Sequence, residues 1–297
     1  MPNFRRLGIF GFAALVLVMI GLSPASSAHA SPQPFIGLFT DYGWDDPYVS
    51  QLKGVIVTIN PNARLLDITH SVTPFNVTEG AWLLDQCAEE FPAGTIFVAV
   101  VDPQVGTDRD PVLLETGKGK FFVGPDNGLF SQVIAREGFS RAWILDKPEF
   151  FRDGGVSRTF HGRDIFGPVA AHLAAGIDPE QLGTPVKMLV LLPDKEPTFS
   201  GGMIFTEVLH IDRYGNVILN LPSDSDMAAK LKDGNLVKIS IGRESYSAPL
   251  VKTYGEVEKG RLLLLYGGGG LLEIGMNQGS AARQLKVEPG TSVFLKP

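Results

Sequence analysis

Phe35-Ile36-Gly37-Leu38-Phe39-Thr40-Asp41-Tyr42-Gly43 is the stretch on which the reading of this chain turns. Its apolar run, 35–39, is too short for a helix and reads as a buried strand; the polar Thr-Asp-Tyr-Gly after it reads as a loop at the strand's carboxyl end. Working outward, Tyr48, Leu52, Val55, Ile56 and Ile59 step by four, three, one and three, which is one face of a helix. Ala63 to Thr69 is a second strand. Asn76 with Glu79 resembles a capping box ahead of a helical stripe through Val77, Ala81, Leu84, Ala88 and Phe91. Thr95 to Val101 is a third strand, rich in apolar and β-branched residues. Strand and helix alternate, which predicts a mostly parallel sheet flanked by helices.

Strands at 112–115, 120–123 and 141–145 extend that sheet. A helix from Ile165 to Ala175, with Val169 and Leu173 inward, closes an N-terminal α/β domain over 34–190. Prolines 179, 185, 193 and 197 with Gly201-Gly202 interrupt the next segment, so the linker is placed at 191–202. Beyond it the pattern is strands with turn signals: 204–210, 217–221, 236–241, 262–265, 271–274 and 292–295. Short helical pieces at 226–231 and 281–285 break the series. Residues 203–297 thus read as a smaller antiparallel β domain.

The 297 residues are 44% hydrophobic and 20% charged, a balance that excludes disorder and a coiled coil. The net charge is -6 and no basic run exceeds two residues, so a nucleic-acid surface is not expected. One cysteine, Cys87, forms no internal disulfide, and five scattered histidines make no zinc framework. At the N-terminus, Arg5-Arg6, the uncharged run Leu7 to Leu22 and Ala28-His29-Ala30 read as a signal peptide over 1–30. The run falls short of the ~20 residues of a spanning helix, and nothing later is long and apolar enough. An exported protein, periplasmic or secreted and without a stable membrane span, is expected.

Three polar clusters lie at or near strand ends, where open α/β sheets bind ligands: Thr40 to Gly43, Asp102 to Arg109, and Thr159 to Asp164. Six segments resemble one family in order: Asp41-Tyr42-Gly43 with Tyr48-Val49 and Lys53-Gly54; Thr69 to Pro74; the DPxVGT run at 102–107; Pro125 to Leu129; Thr159 to Phe166; and Ile211 to Asn216. The chain is similar there to the S-adenosylmethionine hydroxide adenosyltransferases, relatives of the fluorinases and chlorinases. The resemblance implies hydrolysis of S-adenosylmethionine to adenosine and methionine, by attack of water or hydroxide on ribose C5′. The family's water-activating triad falls on Asp102, Arg109 and His161, with either Asp102 or His161 as the final base.

By the same resemblance, Asp41 grips the ribose diol, and Phe75, Phe160 and Tyr214 line the nucleoside pocket. Ordinary core packing is an equal reading of Phe75. Asn216 and Asn277 match positions near adenine, and Asp212 matches a carboxylate near the methionine ammonium. The resemblance also implies a homotrimer with its pocket between subunits. Gly267 to Gly270 falls where the family approaches the amino-acid end of the substrate. No cofactor and no metal are expected, since S-adenosylmethionine is itself the substrate. His70 and the Asp126-Asn127-Gly128 turn read as structural. Gln104 stands where the family's DPGVGT form has glycine, and Asp110 places a second carboxylate next to Arg109. Three classes follow: an exported hydrolase acting on leaked or imported substrate, a halide-using adenosyltransferase, or a catalytically inactive nucleoside-binding protein. Retention of Asp102, Arg109 and His161 favours the first.

Overall fold

The structure, a computed structural model, describes residues 34–193 and 196–297. The expected signal peptide at 1–30 and positions 194 and 195 of the expected linker lie outside the described residues. β1 (Phe35–Thr40) is followed by α1 (Tyr48–Ile59), β2 (Arg64–Thr69), α2 (Val77–Ala88) and β3 (Ile96–Val100). β1 pairs in parallel with both β2 and β3, as the alternation predicts. β4 (Pro111–Thr116), β5 (Phe121–Pro125), α3 (Ser131–Glu137), β6 (Phe139–Ile144), α4 (Gly167–Ala174), α5 (Pro179–Leu182) and β7 (Thr184–Val186) come next.

Among the described residues these strands form a seven-stranded sheet of order β2-β1-β3-β5-β4-β6-β7. It is mixed, not mostly parallel. β3 and β5 run in parallel, whereas β4–β5, β4–β6 and β6–β7 are antiparallel. The cause is connection length: only residues 117–120 separate β4 from β5. A parallel crossover needs about a dozen residues or more, so the chain must turn back on itself there.

Side-chain alternation along the strands feeds a core on each face. Ile36 and Leu38 pack with Leu52 and Ile56 of α1 and Val169 of α4. On the other side, Phe39 and Phe97 pack with Leu84 of α2 and Val133 of α3. This two-sided burial is why β1 and β3 read as continuous apolar runs.

The second sheet comprises β8 (Thr198–Ser200), β9 (Met203–Ile211), β10 (Val217–Pro222), β11 (Leu236–Ile241), β12 (Glu244–Pro249), β13 (Leu262–Tyr266), β14 (Leu271–Met276) and β15 (Ser292–Lys296). A short α6 (Ala281–Leu285) precedes β15. Among the described residues the named strands of this sheet pair antiparallel, with one isolated parallel bridge from Leu250 to Leu264 of β13. β8 falls within the expected linker and pairs with β9. β12 was not foreseen because its residues, Glu-Ser-Tyr-Ser-Ala-Pro, carry no apolar run and sit at a sheet edge. The helical piece expected at 226–231 is a single 3-10 turn, Ala228–Lys230.

Helix α2 ties the two sheets together. Asn76 accepts from the Glu79 N–H at 3.1 Å, as an N-cap should. The Glu79 carboxylate does not return to complete the capping box. It accepts instead from the Thr73 N–H at 3.1 Å and from Nδ1 of His210 on β9. The Trp82 ring lies 5.6 Å from the His210 ring. Burial alone would raise the Glu79 carboxyl, but the bonds from His210 and Thr73 outweigh it and hold it below the usual value of 4.5. A depressed carboxyl stabilises the fold fully above its unfolded pKa and loses that contribution as pH falls through the folded value. Glu79→Gln is therefore expected to cost about 1–3 kcal/mol in urea unfolding at neutral pH. The deficit should shrink when the same unfolding is repeated at acid pH, where the wild-type carboxylate is itself protonated.

Candidate active site

The parallel register of β1 and β3 pairs Thr40 with Val100, so the loops after both strands start from the same edge of the sheet. The Asp41 N–H donates to the Val100 carbonyl at 3.3 Å, and Asp102 lies within electrostatic reach of Asp41. Burial pushes the Asp41 carboxyl up; the Phe75 N–H opposes that shift, and Asp102 adds to it. That N–H reaches Asp41 Oδ2 at 3.0 Å. Phe75 has φ 68° and is 71% exposed. It is thus not a core residue, which corrects that reading. A non-glycine residue in the left-handed region costs about 1–2 kcal/mol, a strain often found at functional sites.

Asp102 and Arg109 meet across one tight loop. Arg109 Nε lies 3.1 and 3.0 Å from the two oxygens of Asp102, and Nη2 also reaches Oδ2. Nη2 further contacts His161 Nδ1 at 2.8 Å. The charged pair is buried, with only 4% of the Arg109 side chain and 5% of the Asp102 side chain exposed. Arg109 forms its ion pair with Asp102 alone among the described residues, so Asp110 does not share it. Gln104 is exposed and takes no left-handed backbone angle; Gly106, with φ 76°, takes that role in the loop. A Cβ at Gly106 would stand 2.1 Å from the Arg158 carbonyl. The loop carrying Arg109 therefore lies directly on the segment that leads to His161.

His161 precedes a π-helical turn, Gly162–Phe166, that runs into α4. Single π turns often mark functional sites. The expected helix start at Ile165 falls inside this turn. Its anchor is buried Asp164, which accepts from Arg163 Nε at 2.7 Å and from the Ser157 N–H at 2.9 Å. A guanidinium has only donors, so Nδ1 of His161 must be the acceptor in the bond from Arg109. Burial, followed by the charge of Arg109, lowers the His161 pKa from 6.5, which keeps the ring neutral. A neutral ring that accepts at Nδ1 carries its proton on Nε2. Its one basic lone pair is engaged by the guanidinium.

Phe160, only 9% exposed, sits edge-on against Tyr42 at 5.6 Å and Tyr48 at 5.4 Å. The Tyr42 hydroxyl is buried over Gly162, where a Cβ would come within 2.1 Å of it. Burial drives the Tyr42 pKa far upward, with Asp41 and Asp102 adding to the rise, so it stays a neutral phenol. Sequence reading missed Tyr42 as a wall residue. Its signal was the pairing with Tyr48, which was absorbed into the helix stripe.

The second-sheet residues form a separate group. Asp212, Tyr214 and Asn216 line a cavity of about 840 Å³, whose described lining runs from Asp212 to Ser280 with no residue of the first sheet. Asp212 Oδ1 accepts the N–H groups of Tyr214 and Asn216 at 2.9 and 2.8 Å, and Oδ2 accepts Asn216 Nδ2 at 2.8 Å. The Asn216 amide nitrogen is thereby engaged. Tyr214 is 79% exposed. Asn277 does not line the cavity; its Nδ2 donates to the Val257 carbonyl at 2.7 Å.

Glu273 and Tyr254 are among the lining residues that were not foreseen. Tyr254 Oη donates to Glu273 Oε2 at 3.1 Å. Burial, with Asp212 adding to it, raises the Glu273 carboxyl, and burial beside Glu273 pushes the Tyr254 phenol up to about 12. A lone acid between Leu272 and Ile274 was the available sign. Gly267 lies against this carboxylate: a Cβ there would fall 1.7 Å from Glu273 Oε1, so any larger residue would displace the Glu273 side chain. Among the described residues no cluster of three or more His, Cys, Asp or Glu side chains fits a metal ion. Gly162→Ala should displace Tyr42 and lower activity at least about tenfold, with a loss of folding stability of only about 1–3 kcal/mol. Turnover compared with urea unfolding checks this.

Residues 36–183 match the family described as SAM hydroxide adenosyltransferase N-terminal domain, and residues 206–294 match its C-terminal domain. The chain is similar to an (R)-S-adenosyl-L-methionine hydrolase of Thermus thermophilus, 36% identical over 86% of this chain and 97% of the relative. It is similar at 26% identity to a fluorinase of Actinoplanes, over 90% of this chain and 98% of the relative. A solved structure of an uncharacterized conserved protein from Thermotoga maritima superposes with a TM-score of 0.83 at 36% identity, covering 89% of this chain and all of that one.

Proposed function

The chain belongs to the SAM hydroxide adenosyltransferase family, and from that membership we propose how its residues hydrolyse S-adenosylmethionine to adenosine and methionine. The observation that carries the reading is the contact of Asp102, Arg109 and His161 at the sheet edge that also holds Asp41. The sulfonium is already a good leaving group, so the barrier lies with the nucleophile: water has a pKa of about 15.7. A positioned base is worth ~10²–10⁴-fold.

Asp102 is the base. His161 has no free lone pair, whereas each carboxylate oxygen keeps acceptor capacity beyond its bonds to Arg109. Asp102 takes the proton of the attacking water as the new O–C5′ bond forms and the C5′–S bond breaks. The electron pair leaves on sulfur, giving neutral methionine. This timing settles an electrostatic conflict, because a fixed anion beside a sulfonium would favour substrate over transition state. Protonation neutralises the anion as the cation disappears. Arg109 orients the carboxylate, and His161 orients Arg109.

Asp41 is placed to accept both ribose hydroxyls, with exposed Phe75 beside it. Asp212, Asn216 and Tyr214 are placed to take the remainder of the substrate. The described cavity lining contains no residue of the first sheet, and both Phe75 and Tyr214 face solvent; this supports a homotrimer in which one copy's strand-end loops meet a neighbour's cavity. The leader-like segment 1–30 supports an exported protein, periplasmic or secreted, and among the described residues no helix is long and apolar enough to cross a membrane.

Purified protein incubated with S-adenosylmethionine should yield adenosine and methionine. A halogenated nucleoside formed only with added halide would favour the adenosyltransferase alternative, and tight adenosine retention without turnover would favour an inactive binder. Asp102→Asn is expected to lower kcat by ~10²–10⁴-fold with little change in KM. His161→Asn, whose carbonyl can accept from Arg109 as Nδ1 does, should retain more activity than His161→Ala. Because the His161 pKa is lowered, kcat/KM should fall on the acid side with a midpoint below 6.5. Protonation there sets a ring N–H against the guanidinium.

A further inference from the structure

Behind the Asp41 loop runs a chain of hydrogen bonds that none of the steps above uses. Lys53 Nζ donates to Asp67 Oδ2 at 2.6 Å. His70 Nε2 lies 3.0 Å from Asp67 Oδ1, and His70 Nδ1 lies 2.8 Å from Thr40 Oγ1. Thr40 Oγ1 in turn accepts the Tyr42 N–H at 3.2 Å. The side chains of His70 and Thr40 are buried.

The direction of each bond follows from its partners. Asp67 is held ionised: burial would raise its carboxyl, but Lys53 and His70 outweigh it. An ionised carboxylate only accepts, so His70 Nε2 carries the proton. Burial lowers the His70 pKa, opposed by Asp67, so the ring is neutral and Nδ1 is an acceptor. The Thr40 hydroxyl must then donate to Nδ1, and its oxygen is left to receive the Tyr42 N–H. The His70 carbonyl also accepts the Gly43 N–H at 2.7 Å, and the Trp44 ring stands edge-on over the imidazole at 4.6 Å. Three successive amides, those of Asp41, Tyr42 and Gly43, thus have fixed acceptors, and two of these belong to Thr40 and His70.

We propose that Lys53, Asp67, His70 and Thr40 form a directional hydrogen-bond relay that holds the Asp41–Gly43 loop in its substrate-binding shape, making His70 and Thr40 positioning residues of the reaction. The proposal rests on the reading of Asp41 as the ribose anchor. A diol that does not react is gripped alike in substrate and transition state, so a loosened loop raises KM and spares kcat. Relay loss in a merely structural role would lower stability and leave KM alone.

The test compares Thr40→Val, which keeps the shape and deletes the hydroxyl, with Thr40→Ser, which keeps the hydroxyl. Thr40→Val should raise KM for S-adenosylmethionine about tenfold or more with kcat within about threefold, and Thr40→Ser should restore KM to within about twofold. Should Thr40→Val fail to fold, Asp67→Ala, cut at the half-exposed end of the relay, should raise KM at least about threefold. A folded Thr40→Val protein with wild-type KM, or an Asp67→Ala protein with wild-type KM, overturns the proposal. So does equal impairment of Thr40→Val and Thr40→Ser. Wild-type protein that does not hydrolyse S-adenosylmethionine would instead sink the functional reading. The relay is then judged by amide exchange: loss of protection at Tyr42 and Gly43 in Thr40→Val sustains it, and unchanged protection overturns it.

Discussion

Parallel pairing of β1 with β3 is the constraint on which the rest depends. Antiparallel neighbours would send the loops after them to opposite ends of the sheet. Running side by side, they deliver Asp41 and Asp102 to one edge. Helices on both faces make that pairing possible, because each strand can be apolar throughout. The packing of Gly106 on the Arg158 carbonyl then brings the third loop, with His161, against the second. Site geometry follows from sheet topology and a single residue without a side chain.

Electrostatics set what this geometry can do. A buried ion pair is poor evidence of stabilisation, since desolvation opposes the attraction. The Asp102–Arg109 pair is better understood as an orienting device. Two contacts from Nε and one from Nη2 fix the carboxylate plane, and the contact with His161 fixes the guanidinium. The imidazole acts through its tautomer. Its accepting nitrogen is taken, which is the ground on which the proposed proton transfer falls to the carboxylate.

Local pattern made most of the elements legible. The 35–39 run, the helix face from Tyr48 to Ile59 and the Asn76 cap all appear where the residues place them. What stayed hidden depends on distant partners. The direction of β4 follows from a short turn, and the destination of the Glu79 carboxylate is His210, far along the chain. Of the site, the residue types of the triad were readable through resemblance, but His161's tautomer needed the position of Arg109. Glu273 was missed because one acid inside an apolar strand has no meaning until Tyr254 and Asp212 are seen beside it.

The seam between the sheets carries a consequence for anyone dividing the molecule. Glu79, Trp82 and Gln86 stand on one side of α2 and meet His210 and Gly269, where a Cβ would come within 2.6 Å of Gln86 Oε1. An excised first half would leave a charged carboxylate and an indole ring facing water with nothing opposite them. An excised second half would lose the helix against which its glycine loop is seated. The two sheets are one engineering unit, and grafting either onto another scaffold means carrying the surface of α2 along with it.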